Sequence, residues 1–559
     1  MSVVSEAEPN AADYLARPWR LVRPTGGPTS LVPKFGDLLT AYRSTVRRAP
    51  TAVAIRYFDA ALSYAELDEL SDGFAAWLTK NGVTQGDRVM VILQNVPQFA
   101  IAVLGAWKCG AVPTPSNPMY RPSELATLFS DCVPSAVVCQ NDHLSDVRAG
   151  LRSAACDCPV LTTSPFDLQT RDDMRVLPPG APTPAGEIDF LQCLRERTTA
   201  PPPANSVESG DLGLLLYTSG TTGVPKGVML SHGALAYNAE VSVEWFMSSE
   251  TGRLLSIAPL FHITGFTVHF AAALISGGEL LLTYRFHPEA VLDAMLEHRP
   301  TLMVAAITAF IALMNSAGAT PQHFSSFRRL YSGGAPIPPA IVDAFEARFG
   351  QRIHTSFGMT ETSAPTHIAP WGSAAPTDPE TGALAIGVPV SGVDAIIVGA
   401  GDAPMPVGQS GELLVRGPQL MDGYWNRPDE TASALANGWM HTGDVGFMDR
   451  EGWFYLIDRK KDLINASGFK VSPREVEDVL YRHPAVREAA VIGVLDSYRG
   501  ETVKAVVSLK AGAVATAEEL IAHCREFLAA YKAPRQIELI GDLPKTVSGK
   551  VMRAALRDR

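Results

Sequence analysis

The stretch that most limits how this chain can fold is YTSGTTGVPKG, Tyr217 to Gly227, with DLGLLLY before it and SHGALAYNAEVSVEWF after it. Glycines let a backbone approach an anion closely, and successive N–H groups can then cradle phosphate oxygens. Gly220 and Gly223 supply that closeness, the hydroxyls of Thr218, Ser219, Thr221 and Thr222 add donors, and Lys226 adds a charge. Gly, Ser and Thr also crowd into ordinary surface turns, though seldom at this density and ending in Pro-Lys-Gly. The apolar run before the loop suits a buried strand, and Ser231 can cap a helix. Strand, loop and helix in that order is the expected setting of an anion site in an α/β fold. A nucleotide P-loop is excluded, because Pro225 stands where glycine is required and Gly227 where a Mg²⁺-binding Ser or Thr is required.

The rest of the chain extends the α/β reading. Between residues 35 and 140, helical patterns (FGDLLTAYRSTV, ELDELSDGFAAWLTKNG) alternate with strand-like runs (DRVMVILQ, AVVCQ). RTTAPPPANSVESG reads as a linker or surface loop, and α/β alternation resumes after it. ELLVRGP and GWFYLIDR then read as short strands. Beyond DRKKD the order is helix, strand, strand, helix, strand, a small α+β module of its own. The boundary is expected near Asp458–Asp462.

Composition removes several classes. With 559 residues the chain holds at least two domains, and 46% hydrophobic with 19% charged residues is ordinary for a soluble protein. A net charge of −11 argues against a nucleic-acid surface. The first twenty residues have no apolar core segment, so no secretory signal is expected. LMVAAITAFIALM is too short to span a bilayer and reads as buried core. Seven scattered cysteines lack metal-ligand spacing, which points to reduced thiols in the cytoplasm.

Four further stretches carry chemical groups: APLFHITGF with His262 at the end of a strand, YSGGAP as a second glycine turn, SFGMTET, and HTGDVG with Asp444 in a glycine-flanked turn. Together with YTSGTTGVPKG, DRKKDLINASGFKVSPREVE and PKTVSGKVMR, in this order, they resemble the adenylate-forming superfamily of acyl-CoA synthetases, luciferases and peptide-synthetase adenylation domains. The resemblance runs from about residue 35 to the end of the sequence. It implies an α/β protein whose large N-terminal domain (1–458) has two α/β subdomains plus a β-barrel. A small mobile α+β C-terminal domain (459–559) would follow, with its hinge near Lys461 and the active site between the two.

The resemblance also implies roles. Thr218 to Lys226 would hold the ATP triphosphate; Glu361, helped by Thr218, would bind Mg²⁺; Thr360 would contact the α-phosphate. Phe357 would stack on adenine, Gly334, Ala335 and Pro336 would line the other side of the base, and Ser356, Gly358 and Met359 would belong to the same ATP- and AMP-binding site. Asp444, supported by Arg459, would accept from the ribose hydroxyls, a task that suits an acceptor-only carboxylate. Relatives usually carry Tyr where this chain has Phe357; stacking needs only the ring face, so the role survives. Lys550 would stabilise the pentavalent state of adenylation, and the loop Ser467, Gly468, Phe469, Lys470 would face CoA in the second step. Asn465 stands where many relatives have lysine.

Amino-acid-activating relatives use an aspartate where this chain has His262, so an α-ammonium would be buried without a partner. Ile263, Gly265, Phe266, Val304, Ala305 and Ile307 would make an apolar acyl pocket around it, or serve as ordinary core. The expected reaction is therefore ATP-dependent ligation of a fatty or aryl carboxylic acid to CoA by a monomer or homodimer. No carrier-protein segment or C-terminal SKL is seen, and GVLDSYRGETVKAVV resembles stand-alone CoA ligases. The alternative is a ligase that passes the acyl group to a separate carrier protein or an amine.

Overall fold

The computed structural model describes residues 14, 16–22, 31–178, 187–195, 207–218, 225–247, 252–459, 464–466, 469–496, 500–529, 531–546 and 549–557. Its largest element is a nine-stranded sheet. The Val53–Tyr57, Glu279–Leu282, Arg253–Ser256, Leu302–Ala305, Arg329–Ser332 and His354–Met359 strands run parallel, and Ala60–Ser63, Ala364–Ile368 and Val388–Pro389 close its edges antiparallel. A second, wholly parallel sheet joins Val112–Pro115, Arg88–Ile92, Ala136–Gln140, Val160–Thr163 and Ile188–Asp189. Helices cover parallel strands on both faces, so such strands read as unbroken apolar runs rather than alternating ones; all five residues of AVVCQ are buried. These are the two expected α/β subdomains.

Local chemistry accounts for the helix starts. Ser63 accepts from the Glu66 amide while Glu66 accepts from the Ser63 amide, a reciprocal cap that opens Tyr64–Lys80. Ser231 accepts from the Ala234 amide and opens His232–Ser242 as expected. LMVAAITAFIALM is core, split into the Leu302–Ala305 strand and the Ile307–Asn315 helix.

Where a barrel was expected, a five-stranded antiparallel sheet joins Asp394–Val398, Gly411–Arg416, Trp439–Met448, Leu435–Ala436 and Phe454–Arg459. The C-terminal module has the expected order: Pro473–Arg482 helix, Val486–Asp496 and Gly500–Leu509 strands, Ala517–Phe527 helix, Gln536–Leu539 strand. The short strands Ile464–Ala466 and Phe469–Val471 precede it. Its core is a separate cluster around Ile464, Val476, Leu480 and Val491. Hydrogen bonds among the described residues tie its start to the larger body: the Ser472 hydroxyl and the Arg474 guanidinium donate to the carbonyls of Ile457 and Leu456.

Two expectations are corrected. After the glycine-rich loop comes not a helix but a second strand, Lys226–Ser231, antiparallel to Leu212–Thr218, so the loop caps a hairpin and has no helix N-terminus at its end. HTGDVG is not a turn but lies inside the long Trp439–Met448 strand. Gly443 there has φ of 70°, and the pairing shifts at Val445/Gly446, so the glycines serve an irregular strand instead.

Candidate active site

Parallel strands end on a common edge, and in open α/β sheets ligands bind beyond those carboxyl ends. Here Leu302–Ala305 leads to Ile307, Arg329–Ser332 to the Gly333–Pro336 turn, and His354–Met359 to the short 3₁₀ turn Thr360–Thr362. Arg253–Ser256 leads to the loop that carries His262, so that residue sits well past its strand rather than at the strand's end. Residues 356–361 are all half-buried, whereas 362–370 are buried, so the accessible part of the motif is the part with polar groups.

The hairpin and the Thr360–Thr362 turn meet through Tyr424. Its phenol donates to Glu361 Oε1 at 2.8 Å, and the Lys226 ammonium lies 5.0 Å from the centre of its ring. Burial and the Glu361 carboxylate push the phenol well above its ordinary range, so it stays a donor. Glu361 Oε2 has no partner among the described residues. The Met421 amide donates to the Glu361 carbonyl, and the Trp425 amide to the Gly227 carbonyl, 2.8 and 2.7 Å long. Thr218, paired with Lys226 across the hairpin, donates to the Lys226 carbonyl at 3.4 Å.

Where adenine is expected, Phe357 is half-buried, with its ring 5.9 Å from that of His367. A Cβ on Gly358 would collide with the Ala364 carbonyl, and one on Gly333 would come within 2.6 Å of the Ser356 carbonyl. Glycine at these points lets the two loops close on one another. Gly334, with φ of 77°, and Pro336 are exposed on the open face, and Ala335 is half-buried. Asp444 is 6% exposed, and its backbone is in register with that of Arg459.

The residues expected to form the acyl wall are buried. Ile263, Phe266, Val304, Ala305 and Ile307 are all at most 4% exposed, and Phe266 packs edge-on against Trp107 and Phe270. Gly265 is required for packing, because a Cβ there would strike the Pro259 carbonyl. It opens the wide π-helix Thr264–Ala271, a geometry common near functional sites. Desolvation, helped by the nearby Lys550 ammonium, lowers His262 to about 4, so its imidazole is neutral at physiological pH. Lys550 is exposed, at the end of a turn whose Gly549 carbonyl accepts from Thr308 at 2.9 Å. Gly549 has φ of 81°, and a Cβ there would press on the same Thr308 hydroxyl.

Several expected residues lie outside the described residues: Ser219, Gly220, Thr221, Thr222, Gly223, Lys461, Ser467 and Gly468. Arg459, Asn465, Phe469 and Lys470 are described by their backbone alone. Sequence reasoning missed Tyr424 and Thr308. The only local sign for Tyr424 was an aromatic after a glycine in MDGYWNRP, and Thr308 carried none.

Known proteins resemble this chain over most of its length. Residues 42–425 match the model of the AMP-binding enzyme family, and 475–550 that of the AMP-binding enzyme C-terminal domain. The long-chain-fatty-acid–CoA ligase of Bacillus subtilis is 36% identical over 555 residues, covering 97% of each chain. A feruloyl-CoA synthase of an Amycolatopsis species is 35% identical over 514 residues, covering 92% of this chain and 97% of its own. The solved anthranilate CoA ligase AuaEII in complex with anthranoyl-AMP superposes with a TM-score of 0.85 at 25% identity, covering 94% of this chain and 98% of its own.

Proposed function

The chain belongs to the AMP-binding enzyme family, and from that premise we propose that it is an ATP-dependent carboxylic acid–CoA ligase acting on a hydrophobic, fatty or aryl acid. In the first step the acid's carboxylate attacks the α-phosphorus of ATP, the bond to the bridging oxygen breaks, and pyrophosphate leaves an acyl-adenylate. In the second, the CoA thiolate attacks the acyl carbonyl and AMP departs. The relatives named for fatty and aryl acids support this substrate class, and the neutral His262 beside apolar residues disfavours an ammonium-bearing one.

Two observations carry the reading: Lys226 and Glu361, from distant segments, are joined through Tyr424, and the Lys550 turn of the module rests on Thr308 of the larger body. A carboxylate that approaches a polyanion needs such positive groups already oriented, since they then stabilise developing charge without reorganising. Thr218 to Lys226 hold the phosphates, Thr360 contacts the α-phosphate, Lys550 reaches the reacting oxygens, Phe357 stacks on adenine and Asp444 accepts from the ribose.

Mg²⁺ fits this donor set. Glu361 offers a carboxylate oxygen without a partner, and no cluster of three His, Cys, Asp or Glu ligands occurs among the described residues. One carboxylate, the Thr218 hydroxyl and the nucleotide's own phosphates match a cation that keeps much of its water. When bound, it would neutralise phosphate charge. The C-terminal module, 459–559, would turn about Lys461 between the two steps to bring the loop 467–470 to the site. ATP–pyrophosphate exchange over acids of increasing chain length and aromaticity tests the first step, and an acceptor panel of CoA, carrier protein and amines tests the second. Acid-dependent exchange with thioester formed only on CoA is expected; exchange with acyl transfer only to an amine or carrier would move the chain to the alternative class.

A further inference from the structure

We infer that Tyr424 is a positioning residue for adenylation, holding the metal-binding carboxylate and the phosphate-binding lysine apart and in register. The inference rests on the proposed function, because it assigns Glu361 to Mg²⁺ and Lys226 to phosphate.

Both charges contact one side chain, and if they paired directly with each other each would be spent on the other. Among the described residues Lys226 makes no ion pair; its partner is the face of the Tyr424 ring, at 5.0 Å. A ring face attracts an ammonium yet leaves all three of its N–H donors free. Glu361 accepts a single phenol hydrogen bond on Oε1, at 2.8 Å, and keeps Oε2 open. One side chain thereby orients two charges through its two chemically different parts.

The segment around it is built to hold that side chain still. Gly423 and Tyr424 pair with Met229 and Val228, adding a third strand to the phosphate hairpin. The Tyr424 amide donates to the Thr431 hydroxyl at 2.9 Å, and a Cβ on Gly423, where φ is 148°, would run into Thr431. The Met421 and Trp425 amides hold the carbonyls of Glu361 and Gly227, so residues 421–425 touch both loops at once. Trp425 Nε1 donates to the Asp131 carbonyl, which anchors the brace to the second sheet's layer. Positioning groups of this kind typically change metal affinity or activity by about 10- to 100-fold when removed.

The test uses the full-length protein, ATP, pyrophosphate, MgCl₂ and the best acid found for the wild type, with palmitic and ferulic acids as starting probes. Tyr424→Phe keeps the ring and removes the hydroxyl. It should raise about tenfold both the Mg²⁺ concentration for half-maximal exchange and the Mg²⁺ concentration that half-saturates ATP binding measured by calorimetry without acid, while leaving the KM for the acid unchanged. Tyr424→Leu removes both parts and should also raise the KM for ATP. In a Glu361→Gln background, Tyr424→Phe should add nothing to the Mg²⁺ requirement, whereas a merely structural tyrosine would cost the same in either background. Unchanged Mg²⁺ dependence in a folded Tyr424→Phe protein overturns the inference alone. Absence of acid-dependent exchange in the wild type overturns the proposed function, and the inference with it.

Discussion

The large N-terminal body and the C-terminal module supply the same site by opposite means. In the body each charged group is held by neighbours: Glu361 by Tyr424 and the Met421 amide, Asp444 within a strand that leaves it 6% exposed. The module offers Lys550 on an exposed turn that rests on the body through the Thr308 hydroxyl. A group that must act in every adenylation gains from being fixed in advance, but one that has to withdraw afterwards cannot be bound tightly. The ties at Ser472 and Arg474 fall close to the proposed hinge, where a rotation displaces atoms least. In the proposed mechanism the body would provide orientation and the module timing.

The sharpest way to break that division is Lys550→Ala. Loss of one preorganised donor costs about 10²- to 10³-fold, and the loss should fall on acid-dependent pyrophosphate exchange alone. Thioester formation from a supplied acyl-adenylate should stay near the wild-type rate. Equal losses in the two half-reactions would mean that Lys550 is not confined to one step.

Asp444→Ala probes the body in the same way. A hydrogen bond to a charged group contributes about 1.5–3 kcal/mol, so the KM for ATP should rise by about 10- to 100-fold while that for the acid holds. A rise confined to the acid would reassign Asp444 to the acyl side.

Thr308→Val separates docking from chemistry, since it keeps the shape and removes the donor to Gly549. A neutral hydrogen bond is worth about 1 kcal/mol, which predicts a severalfold slower adenylation and an unaltered second step, measured as paired half-reaction rates. No change in either would show that the module docks by other contacts.

The two regions also differ in their response to pH. In the body, burial lowers His232, His262 and His354 to about 4, and His269 and His367 to about 3, from an ordinary 6.5. Unfolded, these residues bind protons that the fold refuses, so their contribution is present above pH 6.5 and is lost as pH falls toward 4. In the module the sign is reversed. Asp478, 4% exposed, is pushed by burial from 3.8 up to about 7, with Glu477 adding to the rise and Arg474 and Arg482 opposing it. Its contribution is full below 3.8 and is lost as pH rises through 7. Hydrogen exchange from pH 7.5 down to 5.5 should therefore show the body loosening and the module tightening, and Asp478→Asn should flatten the module's response. Parallel loosening of both regions would contradict the assignment.

Local chemistry was enough to read much of this from residues alone. Apolar runs bounded by turn residues marked the parallel strands, Ser231 marked its helix, and the module's five elements appeared in order, because each depends on neighbours a few positions away. The families of motifs likewise placed Lys226, Glu361, Phe357, Asp444 and Lys550 together as candidates. Tertiary structure alone decided the rest. KGVML is too short a run to distinguish a strand from a loop, and pairing with Leu212–Thr218 made it a strand; HTGDVG has turn residues, yet its neighbours in the antiparallel sheet drew it into a strand. The apolar residues near His262 could be pocket or core, and their burial against Trp107 and Phe270 depends on packing that periodicity does not encode. Tyr424 meets Glu361 across 63 residues, and Thr308 meets Gly549 across 241. Such meetings depend on how whole sheets and modules pack, which no local pattern of residues records.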